Sequence, residues 1–101
     1  MIKILIKSEE NNFKSLEVKG HANSGPFGED LVCAAVSAVV TGGFNNIKEI
    51  KNFKAVLNEG HALLEAIGTI SSHDQTVVET IICGLKTIEE SNPKFVKIEN
   101  L

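Results

Sequence analysis

His21 and Cys33 combine the side chains needed for nucleophilic catalysis, an imidazole and a thiol. A cysteine thiol has a reference pKa of about 8.5, and its thiolate is the reactive form. Unaided, it is mostly protonated in a cell. Asp30 precedes the apolar run Leu31 to Val40 and reads as the N-cap of a helix, which puts Cys33 in the first turn where backbone amides point at it. A helix N-terminus contributes roughly 0.3 to 1 kcal/mol to an exposed anion, and about 1.36 kcal/mol moves a pKa by one unit. The dipole is too weak alone, and the Asp30 carboxylate opposes it. A nearby base or cation is required, and His21 is the candidate.

The elements that position this pair follow from periodicity and turn residues. Ile2, Ile4 and Ile6 alternate with Lys3, Leu5 and Lys7, and Ser8 to Asn12 reads as a turn into a second strand, Phe13 to Gly20. His21 falls where that strand runs out. Ala22 to Glu29 holds Asn23, Ser24, Gly25, Pro26 and Gly28, a density of turn residues that suits an exposed loop. Its two ends carry His21 and the start of the helix, so they are free to converge on one site. Gly25 and Gly28 would let a substrate backbone lie close, and their amides are candidates for an oxyanion hole.

The first helix is apolar almost all the way round from Leu31 to Val40, with Phe44, Ile47 and Ile50 in its continuation. A surface helix carries a polar face, so both sides of this one need covering, by a sheet and by a second helix or partner subunit. Gly42-Gly43 implies close packing or a bend, and position alone does not choose. Phe53 to Asn58 and Ala62 to Ile70 bracket the turn Glu59-Gly60. Ser72 with Gln75 resembles a capping box that opens an amphipathic helix closed by Asn92-Pro93, and Lys94 to Glu99 supplies a last strand. The order is ββαββαβ, an α+β layered domain with a mainly antiparallel sheet and two long helices, spanning residues 1–101 as one unit.

Other readings of these residues stand beside the catalytic one. A cysteine amid alanines and valines is commonly a core thiol, which would make the protein a noncatalytic interaction module with a buried structural Cys33. Cys83, beside Ile81 and Ile82, reads as core filling, and His61 and His73 as surface histidines. Zinc sites show short paired spacings, and none is present, so neither a metal nor another cofactor is expected. No Walker-type or dinucleotide-binding glycine loop occurs.

The net charge of −3 and pI of about 5.6 argue against a nucleic-acid binder, which presents a basic face. No apolar run approaches the ~18 residues that span a bilayer, and no secretory leader precedes the first strand. A cytoplasmic protein with two reduced thiols is expected.

The stretch from Gly20 to Ala38 resembles the signature of the Prp family of ribosomal-processing cysteine proteases. It places Gly20, His21, Gly25, Gly28, Asp30, Val32, Cys33, Ala34, Ser37 and Ala38 at that family's spacings. Element order and length agree, so the likeness covers essentially the whole chain. Pro26 and Phe27, the latter where tyrosine is common, depart from the pattern. The resemblance implies a homodimeric peptidase that removes the N-terminal extension of the precursor of large-subunit ribosomal protein twenty-seven. It makes Cys33 the nucleophile and His21 the base, with Asp30 and Ser37 at recurrent positions. Ser37, four residues after Cys33, shares its helix face.

Overall fold

Two hairpins and a final parallel strand build one five-stranded sheet, ordered β3-β4-β2-β1-β5. The computed structural model describes residues 1–20 and 31–101. Strands β1 (Ile2–Glu9) and β2 (Asn12–Lys19) are joined at Glu10-Asn11, both with positive φ (52° and 67°), the conformation that tight hairpins with right-handed twist demand. Helix α1 (Leu31–Phe44) follows, then a single-turn 3-10 helix (Ile50–Asn52), β3 (Phe53–Asn58), β4 (His61–Ala66), α2 (Ser72–Ser91) and β5 (Val96–Asn100). All neighbouring strands are antiparallel except β1 and β5. The expected α+β architecture is the observed one.

Strand alternation creates the core. Ile2, Ile4 and Ile6 of β1 stand on the same face as Leu16 and Val18 of β2, Ala62 and Leu64 of β4, and Val96 of β5, and all are buried. Helix α1 adds Val32, Val36 and Val40, and α2 adds Val77, Val78, Ile81 and Leu85, so both helices cover that face. The opposite face keeps Lys3, Lys7, Lys19, Lys54 and Lys97 in solvent.

Several boundaries differ from those the periodicity predicts. Helix α1 stops at Phe44 rather than running on through Ile47 and Ile50, because buried Asp74 captures the amides of Lys48 (2.9 Å) and Glu49 (3.0 Å) for a different connection. The N-cap of α2 is Ser71, whose hydroxyl accepts from the Asp74 amide at 3.1 Å, one residue earlier than the Ser72–Gln75 reading. Strand β4 ends at Ala66 and not Ile70, its ladder closed by the Ile67 amide on the Asn52 carbonyl. Cys83 is exposed on α2 instead of filling the core, and no disulfide joins it to Cys33.

The question left by Gly42-Gly43 resolves as close packing at one of the two. A Cβ on Gly43 would overlap Cγ1 and Cδ1 of Ile81 on α2, whereas Gly42 has nothing within 4 Å. Gly43→Ala is therefore expected to destabilise the fold by about 1 to 2 kcal/mol: overpacking costs roughly 1 to 3 kcal/mol, and alanine's helix propensity returns part of it. Urea denaturation of the variant measures the net loss.

Candidate active site

Gly20 directly follows β2 in a conformation that glycine tolerates best, with φ +96°, and a Cβ there would lie 2.5 Å from the Met1 carbonyl oxygen. Its amide donates to the Gly60 carbonyl at 3.0 Å. The β2–β4 pairing thus carries on to the β3–β4 turn, and His21 is the next residue in the chain. The positive φ and the approach of the Met1 carbonyl to the Cβ position both favour glycine here.

A cleft of about 480 Å³ opens at this end of the sheet, between α1 and the β3–β4 hairpin. Helix periodicity arranges its α1 wall. Cys33, Ser37 and Thr41, each four residues from the next, form a polar line, and Val36 and Val40 alongside them are buried in the core. Ile2, Val18 and Ala62 line it from the sheet, and Leu57, Asn58, Glu59 and Gly60 from the hairpin end. Cys33 is half-buried: it packs against the core cluster while lining the cleft. It lies two residues from the start of α1, within the first turn, where the dipole favours an anion.

The structure thus brings Cys33, Ser37 and Gly20 to one cleft. His21, Gly25, Gly28 and Asp30, together with the expected loop Ala22 to Glu29, lie outside the described residues. Sequence reasoning missed the second wall, since it recognised Glu59-Gly60 as a turn but had no signal that this turn faces α1. Among the described residues no group of three or more metal-binding side chains occurs.

His61 also borders the cleft, and its ring is occupied elsewhere. Nε2 lies 2.7 Å from Oε2 of Glu17, and Lys19 approaches the other carboxylate oxygen at 3.6 Å. Glu17, Lys19 and His61 share the sheet face turned away from α1, since Lys19 pairs with His61 and Glu17 with Leu63. The hydrogen bond from His61, with smaller help from Lys19, holds the Glu17 carboxyl below the usual range despite partial desolvation. His73 is likewise engaged, its Nδ1 at 3.0 Å from Oδ1 of Asp74.

Comparison with known proteins gives one consistent family. The family model described as "Cysteine protease Prp" matches residues 1–97. The ribosomal processing cysteine protease Prp of Bacillus subtilis is 34% identical over 91 residues, covering 82% of this chain and 81% of its own, and that of Staphylococcus aureus is 28% identical over 95 residues, covering 90% of each. A crystal structure of the Staphylococcus aureus protease with a covalently linked product peptide superimposes with a TM-score of 0.87, at 27% identity and over the full length of both chains.

Proposed function

The chain belongs to the Prp family of cysteine proteases, and from that membership we propose that it removes the N-terminal extension of large-subunit ribosomal protein twenty-seven, with Cys33 as nucleophile and His21 as general base and acid. The observation that carries the proposal is the placement of Cys33: first turn of a helix, half-buried, on the wall of a cleft at the strand end from which His21 follows. The Cys33 thiolate attacks the scissile carbonyl, and backbone amides near the helix start hold the oxyanion. The leaving amine takes its proton from the His21 imidazolium, and water then releases the acyl group from sulfur. Gly25 and Gly28 admit the substrate backbone in this account. Ser37, next along the cleft from Cys33, borders the substrate in this account. Mass spectrometry of the extended ribosomal protein after incubation with the enzyme tests it, and an intact precursor would refute it.

Replacing His21 by glutamine separates its role from fold effects. The kcat is expected to fall at least about 100-fold, the lower range for losing a general acid–base. What activity remains should rise with pH through about 8.5, where an unassisted thiol ionises by itself. A pH profile of kcat/KM identical in shape to that of the parent would assign the base to another group.

A homodimer acting in the cytoplasm completes the proposal. Leu31 (79% exposed), Ala34, Ala38 and Gly42 form an uncharged exposed stripe on α1, a face suited to a second copy. No described helix is long and apolar enough to cross a membrane. Sedimentation at micromolar concentration reads the association state.

A further inference from the structure

The two edges of the sheet are treated differently. On β5 the first two outward amides are taken up by α2 and its C-terminal end: Val96 donates to the Asn92 carbonyl (3.1 Å) and Ile98 to Oε2 of Glu89 (2.7 Å). On β3 the hydrogen-bond parity is set by two bonds, Gly20 amide to Gly60 carbonyl (3.0 Å) and Ile67 amide to Asn52 carbonyl (2.9 Å). The first turns the backbone of Ala62 and Leu64 toward β2, and the second turns that of Lys54, Val56 and Asn58 toward β4. Phe53, Ala55 and Leu57 therefore direct N–H and C=O outward. Phe53 is satisfied by the Ile50 carbonyl. Ala55 and Leu57 have no outward partner among the described residues.

The side chains of Ala55 and Leu57 stand on the helix side of the sheet, and Leu57, 49% exposed, lines the same cleft as Cys33. An unpaired edge that runs into a candidate catalytic cleft is a template for an extended peptide. We propose that the substrate segment docks as an added strand on the outer edge of β3, bonded to the backbone of Ala55 and Leu57, with every second side chain facing the cleft. The proposal rests on the proteolytic reading above, and it specifies how the polypeptide is held: by main-chain pairing on one strand, in one register relative to Cys33. A peptide held this way loses conformational freedom before the chemistry begins, which is how positioning lowers the barrier.

The test uses the Cys33→Ala variant, which holds peptide without cutting it. It is titrated by fluorescence anisotropy with a peptide spanning the extension junction and with copies N-methylated at one amide each. Methylation is expected to weaken binding about tenfold at alternate amides, those facing β3, with little effect at the amides between. Ala55→Pro added to this variant removes one outward donor while leaving the β4 ladder intact, and should weaken the parent peptide by a similar factor. A flat methylation profile overturns the proposal, and so does an Ala55→Pro variant that loses self-association but keeps peptide affinity, since the edge then pairs with a second copy. An alternating profile with a wild-type enzyme that leaves the peptide uncut would retain the docking and overturn the proteolysis. Cleavage with a flat profile would do the reverse.

Discussion

Cys33→Ala is expected to abolish cleavage of the extended ribosomal protein, lowering kcat/KM by about 10⁴-fold or more, the scale on which removal of a covalent nucleophile acts. Fold effects should not account for the loss. Cys33 is half-buried at the first turn of α1, and alanine there keeps helix propensity and most of the packing against the core. A melting temperature within a few degrees of the parent, together with retained peptide affinity, isolates the missing sulfur as the cause. Cleavage that survives the substitution would remove Cys33 from the mechanism altogether.

Thiol labelling offers an independent reading, provided the second cysteine is controlled. Cys83 is exposed on α2, so any bulk alkylation rate mixes two thiols. In a Cys83→Ser background, iodoacetamide should modify Cys33 faster than a model thiol near neutral pH, because only the thiolate reacts. Glutamine at position 21 should slow that labelling toward the model rate.

The fold was legible from the chain wherever a single face decides burial. Alternation in Ile2 to Ile6 and the stripe from Val77 to Leu85 place core residues correctly because period alone determines which side meets the other layer. Element ends were less legible. The stop of α1 at Phe44 depends on Asp74, 26 positions beyond Lys48, and no local signal announces a carboxylate that captures distant amides. The misreading of Cys83 has a related origin, since Ile81 points inward and Cys83, two positions on in the helix, points out. At the site, the local signals lay in Gly20 to Ala38. The wall formed by Leu57 to Gly60 is assembled by strand order, which puts β4 next to β2 and so sets the hairpin end against α1.

Asp74→Ala is expected to destabilise the protein by about 3 to 6 kcal/mol, since two backbone donors lose a charged acceptor worth roughly 1.5 to 3 kcal/mol each. The carboxylate is fully buried, receives the amides of Lys48 and Glu49 on separate oxygens, and meets Nδ1 of His73 at 3.0 Å. Asparagine cannot substitute, because its amide group would set a donor against one of those donors. Burial pushes this carboxyl upward, but the Lys48 amide, His73 and the Glu49 amide outweigh it and hold the group below its ordinary value of 3.8. A depressed folded-state pKa means that the contribution is complete above the unfolded value, near pH 4, and is lost as pH falls through the folded one. Denaturation midpoints measured from pH 7 down to pH 2 should therefore decline more steeply for the parent than for Asp74→Ala. The consequence reaches the cleft, because the segment that Asp74 pins leads through the 3-10 helix into β3, the strand whose end forms the wall opposite Cys33. Loosening that anchor should raise KM more than it lowers kcat, since the sulfur stays on α1 while the surface that holds the peptide shifts.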